Sequence, residues 1–406
     1  TYFSLETLIT QRTLTNIPEK EHIYNLNQLL SRSVCDRMVS DVPVGAFLSG
    51  GIDSSLICAL MQINSRSPIK TFTVGYHNSP FDESPYAERI ARYLGTEHTT
   101  LYVDEKKALW AIDHTIDFYD EPFGDLSAVA TYLICELFKE HVTVALSGDG
   151  GDEIFCGYNR HIWAPRIAKY NGMIPSFIKS PLAKMLLKIN PIFLDKVFNR
   201  FQPFIGDKIY KVLRSLNTSD ILKVYLNSVS YFRSEGVNDL GEKCWYRLHR
   251  GIEKNEEQVA YLDMRTYLHD DVLCKVDRAS MAVGLETRAP FLDYDLVAYT
   301  WNIPVHVKLK KNIKKYLSKK ILETYVPKRL WDRPKMGFGI PVSSWMRTSL
   351  KTYFENIIFR DSFVWEWYSK REIIKLWQDH LSGRKNNELC LWNIFVAQKW
   401  ASQMFG

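Results

Sequence analysis

Two glycine-rich turns, each entered from a short apolar run, constrain this chain more than any other feature. The first, Leu48-Ser49-Gly50-Gly51-Ile52-Asp53-Ser54-Ser55, closes the run Val42–Leu48 and leads into Leu56-Ile57-Cys58-Ala59-Leu60-Met61. The second, Ser147-Gly148-Asp149-Gly150-Gly151-Asp152-Glu153, closes the run His141–Leu146. Between them Ile69–Tyr76 and His98–Val103 are rich in β-branched and aromatic residues and read as strands. Tyr86–Leu94, stopped by Gly95, reads as a helix, as do Lys107–Tyr119 and Ser127–Lys139. Strands alternating with helices predict an α/β fold whose parallel sheet is covered on both faces. Ligands of such sheets bind beyond the carboxyl ends of the strands, where both turns fall.

A helix over residues 21–40 precedes this unit, with Ile23, Leu26, Leu29, Leu30 and Val34 at helical spacing. From about residue 160 the pattern turns mostly helical and less regular. Tyr261–Val283 reads as one long helix, Arg333–Pro341 as a mobile Gly/Pro loop, and 349–404 as helix again. A chain of 406 residues exceeds the ~250–300 over which one core grows. The expected division is 1–20 as a connecting remnant, 21–160 as the α/β core and 161–406 as a mainly helical region. Charge divides the same way. Residues 1–160 carry 12 Lys and Arg against 22 Asp and Glu, the remainder 40 against 24. The basic part reads first as a solvated helical surface, so a nucleic-acid partner is not expected.

Seven cysteines without a CxxC argue against a disulfide framework or a zinc ribbon. No window supplies the ~18 uncharged apolar residues of a membrane span, and Thr1–Glu6 has no signal-peptide character. A reduced, cytoplasmic protein is expected, and the missing initial Met suggests a fragment or a processed product.

In the first turn two glycines let the backbone approach an anion, and Ser49, Ser54 and Ser55 offer hydroxyls beside a helix N-terminus. Neither a Gly-Lys-Ser/Thr nor a GxGxxG pattern is present. The lone acid, Asp53, would repel phosphate unless a cation lay between them. Mg²⁺, which commonly uses one or two carboxylates plus phosphate oxygens, is therefore inferred. The competing structural reading, a Gly-Ser turn with a capping Asp, leaves most of these features unexplained.

The Ser49–Ser55 turn resembles the pyrophosphate loop of ATP pyrophosphatases, which cleave ATP to AMP and PPi. The string Val42–Gly51 resembles the glutamine-hydrolysing asparagine synthetase family. So do Ala145–Glu153, Lys275–Ala282 continuing to Leu285–Asp293, and Arg333–Gly339, in the same order over roughly 20–400.

That resemblance implies an ATP pyrophosphatase-like core and a set of site residues. Leu48, Ser49, Gly50, Gly51, Asp53, Ser54, Ser55, Val74, Ser147 and Gly148 would bind ATP, with Val74 packing on adenine. Asp53 and Asp152 would share Mg²⁺. Asp149 would support formation of an acyl-adenylate, Lys335 would balance charge on the α-phosphate, and Glu286 would help position a catalytic base. Asp125, Ser127 and Arg288 are assigned to the acceptor. Lys275 and Arg278 either meet phosphates or pair with acids. In the acceptor segment, relatives commonly have a hydroxyl residue where Leu126 stands and Pro where Ala130 stands. Such a change could alter which carboxylic acid fits.

The implied reaction is adenylation of a carboxylate, aspartate first, and transfer of ammonia to give amide, AMP and PPi. A uronic acid sugar or another carboxylate of polysaccharide or secondary-metabolite assembly is the second reading, and an RNA-modifying adenylating enzyme the third. A catalytically inactive nucleotide-binding module would be expected to lack the metal acids. The family's glutaminase uses an N-terminal cysteine, whereas residue 1 is Thr and the first cysteine is Cys35. The glutaminase unit is therefore expected to be absent from this chain, with ammonia coming from a removed domain, a partner subunit or solution. No membrane partner is expected, and homodimerisation is left open.

Overall fold

The computed structural model describes residues 4–75, 82–173, 175, 213, 215–216, 218–232, 246–333 and 340–405. Five strands form one sheet: β1 (Val44–Phe47), β2 (Lys70–Gly75), β3 (Glu97–Tyr102), β4 (Val144–Leu146) and β5 (Glu286–Arg288). Their order is β3-β2-β1-β4-β5 and every pairing is parallel. Gly45 of β1 pairs with Lys70 on one side and with Ala145 on the other. The chain runs outward from β1 through β2 to β3, then returns to β4 on β1's other side. That reversal between β1 and β4 is the crevice in which an open α/β sheet binds ligands.

Side-chain alternation along the strands separates two cores. On β4, Val144 and Leu146 join one face and Ala145 the other; on β1, Ala46 and Phe47 divide likewise. The first face is covered by Leu26, Leu30 and Val34 of helix Glu19–Met38 and by Leu56, Ile57 and Leu60 of helix Ile52–Asn64. The second is covered by Val129, Leu133 and Phe138 of helix Ser127–Lys139, with Phe354, Trp392 and Phe395 beyond them. The α/β sandwich read from the sequence is thus present, with helices on both faces. Gly95 ends helix Ser84–Leu94 in the left-handed region (φ 74°), as its position predicts.

Two expectations change. The sheet takes its fifth strand, Glu286–Arg288, from the segment read as helical. The single helix read over 261–283 is three pieces: α-helix Asn255–Arg265, a π-helical stretch Tyr267–Leu273, and α-helix Cys274–Met281. The physical cause lies at the first joint. Asp263 is fully buried and accepts from Arg160, His161 and Tyr225, while Tyr225 also bonds the Thr266 hydroxyl. Those anchors fix the helix end, and the widened turn after it aims Tyr267, Val272 and Lys275 at the crevice. Among the described residues no helix is long and apolar enough to cross a membrane.

Candidate active site

A cavity of about 660 Å³ opens at the carboxyl ends of β1, β2 and β4. The turn after β1 forms its floor. Gly51 caps helix Ile52–Asn64, and the Ser49 and Ser54 hydroxyls lie 3.0 Å apart. The Ser49 amide donates to Ser54 Oγ, which cinches the loop. Gly50 has φ +73°, and a Cβ there would sit 2.9 Å from Tyr86 Cβ and the Ala87 nitrogen. Its glycine is therefore required by the helix behind the loop.

The second turn packs onto the first through its glycines. A Cβ on Gly148 would lie 3.0 Å from Asp53 Cβ and from the Ser54 nitrogen, and one on Gly151 would lie 2.7 Å from Asp53 Oδ1. Gly157 leaves the corresponding space beside Asp152 and Lys315. The glycines of the acidic turn thus bring the two metal-type acids together. Asp53 and Asp152 contact the same ammonium: Lys315 Nζ pairs with Asp53 Oδ2 and lies 2.7 Å from Asp152 Oδ1. Burial alone would push the Lys315 ammonium down, but Asp152 and then Asp53 outweigh it and hold it well above the usual lysine value. Lys315 is buried and its backbone is left-handed (φ 52°). Lys311 and Asn312 share that conformation, which costs a non-glycine residue ~1–2 kcal/mol. The strained segment directs a lysine inward ahead of helix Tyr316–Leu322.

Lys314, Lys315, Lys319 and Arg333 all line this end of the cavity. Arg333 lies over the Tyr86 ring at 4.2 Å, and its Nη2 donates to Glu83 and to the Ser49 carbonyl. Its Nε and Nη1 are buried with no hydrogen-bond partner among the described residues. Donors of that kind, beside a glycine–serine loop, suit phosphate oxygens.

The other end has different chemistry. Lys275 Nζ donates to Asp125 Oδ2 (2.7 Å) and to Ser127 Oγ (2.8 Å), and the Ser127 amide donates to Asp125 Oδ1. Burial raises the Asp125 carboxyl, but Lys275 and Ser127 outweigh it and hold it below the usual range. Asp271 is pushed up by burial and then by Asp125. Burial also raises Asp149, against the pull of Ser147 and Lys275. Glu153, behind the acidic turn, is pushed up to about 7 by burial and then by Asp152, and accepts from the Tyr158 hydroxyl at 2.6 Å.

Of the residues expected from sequence, Leu48, Ser49, Gly51, Asp53, Ser54, Asp125, Ser127, Ser147, Gly148, Asp149 and Asp152 line this one cavity. Gly50, Ser55, Val74, Glu286 and Arg288 are outside its lining. Ser55 and Val74 are buried, Val74 in the core under β2. Glu286 and Arg288 pair with each other on the edge strand, and Arg288 also holds the Arg37 and Val39 carbonyls. Lys335 lies outside the described residues. Of the two cations with alternative readings, Lys275 pairs with Asp125 and Arg278 with Asp120. Leu126 and Ala130 are both buried and outside the cavity lining. Lys315, Arg333, Glu83 and Asp271 were not singled out from sequence. Lys315 is one of seven lysines between 308 and 320, and nothing in that run distinguishes it.

The donor set fits a hard divalent ion completed by phosphate. Among the described residues no group of three or more His, Cys, Asp or Glu side chains could hold a metal alone. A pair of carboxylates is what Mg²⁺ commonly takes when nucleotide oxygens supply further ligands.

A family model described as asparagine synthase matches residues 25–402. The chain is 31% identical over 394 residues to asparagine synthetase (glutamine-hydrolyzing) 1 of Bacillus subtilis, covering 95% of this chain and 60% of that protein. A putative asparagine synthetase (glutamine-hydrolyzing) of Mycobacterium bovis is 26% identical over 392 residues, covering 95% and 58%. Amidase chyE of Penicillium rubens is 24% identical over 403 residues, covering 88% and 58%. The chain spans about three fifths of the length of these relatives.

Proposed function

Because the chain belongs to the asparagine synthase family, we propose that it forms an amide from a carboxylate and ammonia, at the expense of ATP cleaved to AMP and PPi. The observation that carries this reading is the meeting of Asp53 and Asp152 on one cation, in a cavity with a phosphate-type end and an acid–lysine end.

Ser49, Gly51 and Ser54 would receive the pyrophosphate portion of ATP, with the helix N-terminus behind them. Lys314, Lys319 and Arg333 supply positive charge to the same oxygens. Asp53 and Asp152 would hold Mg²⁺, which when bound neutralises charge on the departing pyrophosphate. The acceptor carboxylate would attack the α-phosphate, forming an acyl-AMP that ammonia then attacks. Lys335 is the cation proposed for the α-phosphate, and Asp149 the acid supporting adenylation. Tyr267, Val272 and Val276 wall the acceptor end and help keep out water, which would hydrolyse the adenylate.

For the acceptor we infer aspartate. Asp125, Asp149 and Asp271 lie around one lysine, Lys275. Burial disfavours the charged forms of Asp149 and Asp271, a penalty that an ammonium group beside the reacting acid of the substrate would relieve, and a uronic acid offers no such cation. Leu126 and Ala130, the two departures from the family pattern in this segment, have their side chains in the core. The glutaminase that would deliver ammonia is proposed to be a separate domain or subunit.

The test is PPi release from Mg·ATP with ammonium chloride and a panel of acids including aspartate, glutamate and glucuronate sugars. Aspartate-dependent PPi matched by asparagine supports the reading. Release with a uronic acid alone would move the acceptor to the second class, and no PPi with any acid would remove the amide-ligase reading.

A further inference from the structure

Resting on that reading of the cavity, we propose that Lys315 is a placeholder for the divalent ion, so that metal binding is conditional on nucleotide. Its ammonium already bridges the two acids on which the ion depends, Asp53 and Asp152. An incoming divalent ion must share these carboxylates with a positive charge or displace it. Sharing brings like charges within a few ångströms in a largely buried site, where repulsion is barely screened. Displacement without a new partner strands a buried ammonium, because its side chain is only 8% exposed.

A triphosphate removes both obstacles. Its oxygens, arriving on Ser49, Gly51 and Ser54, offer the ammonium a second anionic partner within the same cavity. They also complete the ion's ligand set. The fold holds Lys315 to this task in two ways. Its left-handed backbone sits just ahead of helix Tyr316–Leu322 and starts the buried side chain towards the cavity. Gly157 gives its methylene stem passage, since a Cβ at that position would overlap Lys315 Cε. Until nucleotide binds, the ammonium also keeps the two carboxylates from repelling each other, so the clip is preformed without metal.

The experiment is titration of the full chain with Mn²⁺, followed by electron paramagnetic resonance of the free ion, with and without α,β-methylene-ATP. The wild type should bind Mn²⁺ weakly alone and tightly with the analogue. Lys315→Met should bind Mn²⁺ alone about tenfold or more tightly than the wild type, because a unit positive charge has left the site. Its thermal midpoint should rise with Mn²⁺ alone, whereas the wild type's should not. Lys315→Arg, which keeps the charge, should remain weak without nucleotide. If Lys315→Met does not fold by circular dichroism, Lys315→Gln carries the same comparison. Unchanged or weaker nucleotide-free binding in the uncharged variants overturns the placeholder role alone. Failure of the wild type to bind Mn²⁺ even with the analogue overturns the nucleotide reading beneath it.

Discussion

Asp53 and Asp152 leave the tips of different strands and end on one ammonium, that of Lys315, with the Asp152 oxygen 2.7 Å from it. Gly148 and Gly151 make the approach possible by leaving no side chain between the two turns. Neutralising either acid should therefore damage one shared device. Asp53→Asn and Asp152→Asn are each expected to lower PPi release at least about 100-fold, a loss consistent with misplaced phosphate chemistry. Each should also destabilise the fold by about 1–3 kcal/mol, because Lys315 loses a charged partner. Steady-state PPi assays with urea melts check both, and an unchanged turnover in either variant would contradict the metal role.

The glycines can be tested without touching any charged group. Gly151→Ala adds a methyl 2.7 Å from Asp53 Oδ1, and Gly148→Ala adds one 3.0 Å from the Ser54 nitrogen. Overpacking of this kind costs about 1–3 kcal/mol. The expected result is a folded protein whose PPi release falls further than its stability does. Equal turnover in Gly151→Ala and wild type would show that close approach of the two turns is not needed for the reaction.

Arg333 joins the phosphate-type loop to the helix after β2 through Ser49, Glu83 and Tyr86. Its Nε and Nη1, buried with no hydrogen-bond partner among the described residues, predict a direct role for the guanidinium toward nucleotide. Arg333→Ala should raise the KM for ATP about tenfold or more, the size expected for a charge-assisted hydrogen bond. Glu83→Gln should raise it less, because Tyr86 and the Ser49 carbonyl still hold the arginine. Initial rates against ATP concentration separate the two, and a larger effect at Glu83 would reverse their roles.

Glu153 gives a pH signature. Its folded carboxyl is raised by burial, and next by Asp152, from 4.5 to about 7. The folded protein therefore retains a proton that the unfolded chain has released between these values. In that window stability contributed at this site falls as pH rises, and the penalty is complete above about 7. Glu153→Gln removes the titration while keeping an acceptor for Tyr158. Relative to the variant, the wild type should lose thermal stability from pH 5 to about pH 7 and change little above that. Parallel melting curves across that range would contradict the assignment.

The sheet's first four strands were legible because each is an apolar or β-branched run bounded by polar turns. β5 was not: Glu286-Thr287-Arg288 carries no apolar pattern, and its pairing with Val144–Leu146 makes it a strand. The interruption after Arg265 was equally hidden, since no glycine or proline marks it and its cause is Asp263 bonding to distant residues. The two acids were legible from their glycine context. Lys315 was not, because only the tertiary fold separates it from its neighbouring lysines. Val74, an adenine contact by resemblance and a core residue by its own pattern, is buried in β2. Local pattern thus conveyed the turns and their acids, whereas the cations that face them depend on long-range packing.

In the proposed reaction a carboxylate attacks the α-phosphate of ATP in the Asp53–Asp152 cavity. The most direct measurement uses aspartate labelled with ¹⁸O in its carboxyl groups, together with ATP, magnesium and ammonium chloride, and mass analysis of the nucleotide product. Acyl-adenylate chemistry predicts AMP carrying one ¹⁸O, formed in step with asparagine. Unlabelled AMP, or ADP with labelled phosphate, would contradict it.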